Sequence, residues 1–483
     1  MLIEKIESQR EVFISLRALL DKLESLGRLK RISKPVDKDW EIAGITRTVM
    51  RQPAAKRYAL RFDSVKGFGT PVVTNTLGGS RELYALALGV PIIEGRIDKD
   101  AIHTRWMEAL SRPIAPQLVK TGPVKENIDL GANVDLRKFP IPIWTPHLDA
   151  GPYLSAGAVV QKDPETGIQN AGVYRGMIMD ADKVGILIQP GKHSGVIFQK
   201  YEAANEPMPV AIVIAPPPYL GMTSVGRVPY GVDEMSVAGG LAGEAMEVVR
   251  CETVDLVVPA HAEMVIEGFV RPNNRAKEGP FGEFYGHMGP QVMSPVLDVT
   301  AVTYRNDTIH QGFQEQMPPS EGSCIKDIAM ESILLAGLRQ CGIPGVLDVY
   351  VHPMSCQSHV VVKIKPQFPA HAKAVMSGCW AIYPNRAKQV TVVEDDCDIY
   401  DDDDVVWHVA TRVQPARDNT VWADATGLPL DPSMPKETAI YSSKIGIDAT
   451  RKHAYSPRSI APPEMLAEVR GNWSHYGLPP LEK

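Results

Sequence analysis

Between residues 156 and 306 the chain carries a run of short apolar segments, AGAVVQ, YRGMIMD, GILIQ, VAIVIA, TVDLVVPA and AVTYRN, separated by clusters of Gly, Pro, Asn and Asp. Segments of this length, rich in Val and Ile and punctuated by turn residues, read as strands at the intervals of a β-barrel or sandwich. The Pro-dense KFPIPIWTPHLDAGPYL leads into them. The flanks have other periods. Val12, Phe13, Leu16, Leu19, Leu20 and Leu23 recur at helical spacing, a stripe that core packing explains, and short strands such as YALRF and PVVTN follow. From about residue 325, helical IKDIAMESILLAGLRQCG and FPAHAKAVMSGCWAI alternate with strand-like VLDVYVH and SHVVVKIK, the pattern of an α/β sheet. A chain of 483 residues exceeds what one hydrophobic core supports. The reading is an α+β multidomain protein divided at about 1–125, 126–324 and 325–483.

Within the central part, KEGPFGEFYGHMG sets Glu278 and Glu283 on either side of a Gly-Pro-Phe-Gly turn. Pro280 fixes one backbone dihedral, while Gly279 and Gly282 permit conformations closed to other residues. A turn of this kind holds two acids at a defined separation, which acid–base chemistry requires. Carboxylates close enough to interact titrate together, and one can stay protonated near neutral pH. Taken alone, the same pair is also what a solvated loop carries.

Upstream, QNAGVYRGMIMDADKVGILIQPGKHSG reads as a hairpin: Val173 to Met179, a turn at Asp180 to Lys183, then Val184 to Ile188. Asn170 precedes the first strand, His193 follows the second, and Arg175 lies on the first. Residues flanking the open end of a hairpin approach one another, so an amide oxygen and an imidazole can share one ion. Glu234 follows the loop GRVPYGVDE and adds an acid. Asn, His and Glu together suit Mn²⁺ or Mg²⁺ better than a thiolate-preferring ion. A surface histidine and a strand-edge arginine are the plainer alternatives.

NAGVYR (Asn170 to Arg175), EGPFGE (Glu278 to Glu283), the region of Glu234, VTYRND (Val302 to Asp307), VVEDDCDIYDDDDVVW (Val392 to Trp407) and NW (Asn472, Trp473) occur in order along the chain. Together they resemble the UbiD family of decarboxylases, which use prenylated FMN. The resemblance covers essentially the whole chain. It implies a central split β-barrel that binds the flavin, between an N-terminal α/β region and a C-terminal α/β domain that mediates oligomerisation into a homodimer or hexamer. It further implies a catalytic network of Arg175, Glu278 and Glu283. Glu283 would donate a proton to the carbon that CO₂ leaves, Arg175 would hold the substrate carboxylate, and Glu278 would orient Arg175. Some family members carry Asp where Glu283 stands. Asn170, His193 and Glu234 match the ligands of Mn²⁺ (or Mg²⁺) that tie the flavin phosphate to the protein, with K⁺ alongside. Gly172, Val173 and Tyr174 would run along the flavin. Lys192 would contact its phosphate, and Lys388 is the nearest candidate for a second such lysine.

The implied reaction is reversible, non-oxidative decarboxylation of a small unsaturated, aromatic or heteroaromatic acid. Loss of CO₂ from such an acid leaves an unstable sp² carbanion, and since side chains supply no electron sink a cofactor must. A positioned acid and an orienting arginine supply the rest. An FMN-dependent oxidoreductase is the alternative on a split barrel, because fold alone does not settle function. Two acids flanking an arginine have no use in hydride transfer. A non-catalytic member of the fold is a third reading, against which an intact six-residue site counts. The segments Met317 to Ile325 and Tyr441 to Ile447, largely small or neutral, are expected to wall the pocket. They point to a compact, flat phenolic, indole, pyrrole or furan acid.

The remaining features bound the partners. A net charge of −6, from 51 basic and 57 acidic residues, argues against nucleic acid. The expected partners are the small acid and the flavin prenyltransferase UbiX as cofactor supplier. Six scattered cysteines with no CxxC pair read as reduced, buried thiols. The start, MLIEKIESQREVF, lacks the apolar core of a signal peptide, and no apolar run is long enough to cross a bilayer. A cytoplasmic protein is expected. The acidic run Asp395 to Asp404 reads as a solvated turn after a buried strand, not a metal site.

Overall fold

The computed structural model describes residues 12–480 other than 94, 227 and 435–440, so most of the charged amino-terminal stretch read above lies outside it. The leucine stripe forms the helix Leu16–Ser25, with Leu16, Leu19, Leu20 and Leu23 buried and Ser15 capping it by accepting from the Ala18 amide. Val12 and Phe13 precede the helix, although Phe13 is buried in the same core. YALRF and PVVTN contribute Ala59–Phe62 and Val72–Thr74 to a four-stranded sheet. Its last strand, His310–Gln311, arrives from far down the chain.

A nine-stranded antiparallel sheet forms the centre. In order along it lie Gln169–Val173, Ala158–Lys162, Met208–Ile214, Met264–Glu278, Val292–Tyr304, Lys183–Ile186, Gly176–Asp180 and Tyr153–Leu154, with Asn127–Leu130 also paired to Val292–Tyr304. Connectivity dictates its shape. Gln169–Val173 and Gly176–Asp180 stand six strand spacings apart, roughly 29 Å if the sheet were flat. Only Tyr174 and Arg175 join them, and so short a link reaches about 11 Å. The sheet therefore curls until its ends approach, which is a split barrel. The strand Met208–Ile214 is almost wholly buried, because the helices His193–Ala204 and Pro218–Val225 pack over this part of the sheet. Each fully buried Val or Ile there stabilises the fold by about 1.5–3 kcal/mol.

One strand was not expected from the sequence, and one expected strand shrinks. Met264–Glu278 is a long strand whose pattern is hidden by Gly268, Pro272, Asn273 and Asn274. The sheet absorbs them through register irregularities at Glu267/Gly268 and between Val270 and Arg275. Gly268 is required by close approach, since a Cβ there would stand 2.1 Å from the Asp298 carbonyl oxygen. TVDLVVPA yields only Val257–Pro259, in a separate three-stranded sheet with Glu247–Arg250 and Gln117–Leu118.

In the last part, Glu321–Gln340 and His371–Ile382 are helices and Val346–Val351 and His359–Ile364 strands, as the sequence suggests. Gln389–Glu394, Tyr441–Asp448 and Asn419–Thr426 complete a five-stranded mixed sheet with its own apolar core. The acidic run is only partly a turn. Asp402–Arg412 is a helix, capped by Asp401, because carboxylates are favoured at a helix amino end. The cysteines also depart from expectation: all six are free, but Cys341 is exposed and Cys251 partly so. No helix among the described residues is long and apolar enough to cross a membrane.

Candidate active site

Closure of the sheet decides where a site can form. The Tyr174–Arg175 link crosses between the sheet's two ends, so Asn170 and Arg175 both open onto one cavity of about 610 Å³, the size of a small-molecule or cofactor site. The hairpin reading is corrected here. The hairpin is Gly176–Asp180 with Lys183–Ile186, and Arg175 precedes it. Asn170 sits on a strand of its own, Gln169–Val173, paired to Ala158–Lys162. Asn170 and His193 meet because the sheet curls, with Nδ2 and Nδ1 3.2 Å apart.

Glu234 joins them from the first turn of Glu234–Ala242, and His193 is the first residue of His193–Ala204. The buried Glu234 carboxylate accepts from Asn170 Nδ2 at 2.7 Å and from the Ala171 amide at 2.7 Å. His193 Nδ1 stands 3.9 Å from it. Burial raises the Glu234 carboxyl above its ordinary range, against the pull of His193 and the Ala171 amide. Among the described residues, Asn170 Oδ1 is buried and accepts no hydrogen bond. An orphaned amide oxygen beside a carboxylate and an imidazole is a donor set that fits an oxygen-preferring divalent cation.

Lining the same cavity, Arg175 grips Glu278 in a fork, Nε to Oε1 at 2.9 Å and Nη2 to Oε2 at 2.8 Å, while Nη1 donates to Glu283 Oε1 at 2.6 Å. Glu278 ends the long central strand and is fully buried, whereas the Glu283 side chain is 21% exposed. Burial pushes the Glu283 carboxyl above its ordinary range and Glu278 adds to this; Arg175 and Lys326 pull the other way. The turn between the acids is held by Asp149, which accepts from the amides of Thr145, Trp144 and Gly282, and by the Ala150 amide, which donates to Pro280 O. Gly279 takes φ +86°, as its sequence role requires. Gly282 does not: it is needed for room, since a Cβ would lie 2.3 Å from the Gln316 side chain. Phe281 packs beneath Arg175, 5.3 Å from ring centre to guanidinium carbon.

Gly172, Val173, Tyr174 and Lys192 line the cavity. Lys388 does not; it donates to Asp431 at 2.8 Å and to Ser433, outside the cavity. The expected wall segments are likewise displaced. Tyr441 to Ile447 lies in a strand of the C-terminal sheet. Met317 to Ile325 turns into a helix whose first residue, Glu321, is drawn to the amides of Asn75, Leu77 and Gly78. In their place stand Phe281, Phe284, Phe313, Glu315, Lys326 and Leu430. Lys326, Asp149, Glu315 and Leu430 carried no sequence signal: Lys326 stands beside Asp327 in a helical stretch that also holds Glu331 and Arg339.

Sequence models of three domains of 3-octaprenyl-4-hydroxybenzoate carboxy-lyase match the chain: the N-terminal domain at residues 20–109, the Rift-related domain at 117–317 and the C-terminal domain at 327–449. The chain belongs to the UbiD family. Solved UbiD-class structures agree over nearly its full length. The UbiD-class enzyme HmfF of Pelotomaculum thermopropionicum, in complex with FMN, is 37% identical with a TM-score of 0.83, covering 94% of this chain and 99% of its own. The vanillic acid decarboxylase of Sedimentibacter hydroxybenzoicus in open form is 29% identical with a TM-score of 0.82, covering 96% of this chain and 99% of its own. The apo 3,4-dihydroxybenzoic acid decarboxylase of Klebsiella pneumoniae is 27% identical with a TM-score of 0.82, covering 94% and 99%. The UbiD chain described here is accordingly a carboxy-lyase.

Proposed function

We propose that the protein catalyses reversible, non-oxidative decarboxylation of a small unsaturated, aromatic or heteroaromatic acid with prenylated FMN. The observation that carries this is the Glu278–Arg175–Glu283 chain of hydrogen bonds on the wall of a cavity that Asn170, His193 and Glu234 also line. HmfF has been solved with prenylated FMN in an evolved dimeric form, at 36% identity to this chain. Asn170, His193 and Glu234 would hold Mn²⁺ (or Mg²⁺), with K⁺ alongside. Lys192 and the amino end of His193–Ala204 would meet the flavin phosphate, where a helix terminus favours an anion. When bound, the prenylated flavin supplies the electron sink that side chains lack.

The side chains divide the rest of the work. Arginine carries five N–H donors, and Arg175 commits three of them to the two glutamates. The remaining two, joined by the one released when Glu283 becomes neutral, bind the substrate carboxylate. Glu278 keeps the guanidinium oriented and balances its charge in a buried setting. Burial favours the protonated form of Glu283, which can then pass its proton to the carbon that CO₂ leaves. Phe281, Phe284 and Phe313 furnish apolar wall for a flat ring. Homo-oligomerisation through the C-terminal part suits the exposed Val421, Trp422 and Tyr441 on the paired strands Asn419–Thr426 and Tyr441–Asp448.

The test is to co-express the protein with UbiX, release the bound flavin and determine its mass and absorption. A prenylated FMN mass is expected. Plain FMN alone, despite the partner, would overturn the reading in favour of redox chemistry.

A further inference from the structure

Glu283 sits on a support too slight to fix it unaided. Phe281–Gly282 and Met288–Gly289 form a two-stranded sheet of their own, two residues to a strand, and Glu283 opens the loop between them. A hairpin of two strands is marginal at best on its own. Within the loop, the Glu283 amide donates to His287 O and the Gly286 amide to Glu283 O, both at 2.9 Å. Asp149 steadies the base through the Gly282 amide. The tip is held from another domain. Cys356 Sγ donates to Phe284 O at 3.3 Å, and the hydroxyls of Tyr285 and Ser358 are hydrogen-bonded at 3.0 Å. Cys356 and Ser358 belong to the turn 352–358, which joins Val346–Val351 to His359–Ile364 in the C-terminal sheet. That turn is a built feature. Cys356 and Gln357 take φ of +53° and +65°, left-handed values that residues with a Cβ keep only where their surroundings fix them. The amides of Ala387 and Gln389 donate to Gln357 O at 3.0 Å and Ser358 O at 2.7 Å. Arg386, beside Ala387, places its guanidinium carbon 5.2 Å from the centre of the Phe284 ring.

Resting on the decarboxylase reading, we propose that the strained turn 356–358 positions the proton donor: by holding Phe284 and Tyr285 it fixes where Glu283 points. The hold falls on the backbone one residue beyond Glu283 and on the side chain two residues beyond it. Glu283 has to meet Arg175 Nη1, 2.6 Å away, and also reach the carbon that CO₂ leaves. A misplacement of about 1 Å at such a point costs up to about 100-fold in rate. Tyr285, Cys356 and Ser358 stand outside the cavity lining, so they act on proton delivery without touching substrate or flavin. The C-terminal domain thereby takes part in the chemistry as well as in assembly.

The test compares wild-type holoenzyme with Tyr285→Phe, Ser358→Ala, the double variant and Ser358→Thr. Hydrogen–deuterium exchange is followed at residues 281–289. In parallel, kcat and KM for CO₂ release are measured at verified flavin occupancy, on whichever of furan-2-carboxylate, pyrrole-2-carboxylate, indole-3-carboxylate and 4-hydroxybenzoate the wild type turns over fastest. Each single variant should speed exchange at 281–289 about fivefold, as loss of one hydrogen bond does. It should also lower kcat about 10- to 100-fold while KM stays within about twofold. The double variant should match the singles, because both remove the same bond. Ser358→Thr keeps the hydroxyl and should restore kcat. Should Ser358→Ala fail to fold, Tyr285→Phe decides from the other side of the bond. The positioning role is overturned if kcat survives in both single variants, if KM rises while kcat holds, or if the two losses add. Faster exchange in the variants with no CO₂ release by the wild type would leave the hold on the hairpin intact and sink the decarboxylase reading. Unchanged exchange with normal CO₂ release would do the reverse.

Discussion

Glu283 faces three charged groups, Arg175, Glu278 and Lys326, and burial outweighs the two cations in setting its proton affinity. Its raised pKa has a signed consequence. The group acts as an acid, so turnover belongs to the protonated form and falls as pH rises through that pKa. Lys326 pulls the pKa down, so Lys326→Met should carry the descending limb of the kcat–pH profile to higher pH. A limb that stays put or moves lower contradicts the assignment. The residues behind this were only partly legible in the sequence. Glu278 and Glu283 announce themselves by flanking a Gly-Pro turn, and Arg175 by the motif around it. Lys326 and Glu315 come from another segment, and nothing local to either shows which cavity it faces. Gly282 was legible as important for the wrong reason, because only the fold reveals that it makes room for Gln316.

Two helix amino ends and one strand assemble the candidate metal set, with His193 and Glu234 each opening a helix and Asn170 on Gln169–Val173. His193→Ala removes one of three donors, so metal and flavin should be lost together, by elemental analysis and flavin absorbance on the purified variant. Normal occupancy of both would show the donor set to be misassigned. A second element-level device is Glu321, at the start of Glu321–Gln340. Its buried carboxyl accepts from the amides of Asn75 and Leu77 at 2.6 Å each and of Gly78 at 3.2 Å. Glu321→Ala leaves those amides unpaired, at a cost of roughly 3–5 kcal/mol, readable as a fall in denaturant midpoint; a loss under about 1 kcal/mol would contradict the clamp. The elements themselves divide by how clean their period is. Helices such as His371–Ile382 were plain, whereas Met264–Glu278 was hidden because its irregularities are built from the residues that mark turns elsewhere.

At the scale of the whole molecule, the cavity draws its wall from residues as distant as Ser155 and Leu430. The sheet order explains why this assembly was not readable from spacing: a two-residue link joins strands that lie near opposite ends of the sheet, so the sheet must curl and strands far apart in its order meet around one cavity. The division into a strand-rich centre and alternating flanks was legible, because each has its own hydrophobic period. The packing of side chains from one part against another was not, since it depends on how the finished elements meet. In the proposed reaction this assembled cavity releases CO₂ with Glu283 as the proton donor. The most direct measurement is kcat for CO₂ release by Glu283→Gln holoenzyme with verified flavin occupancy. Normal occupancy and a fall of at least about 100-fold are expected, whereas turnover near that of the wild type would contradict the proton-donor role.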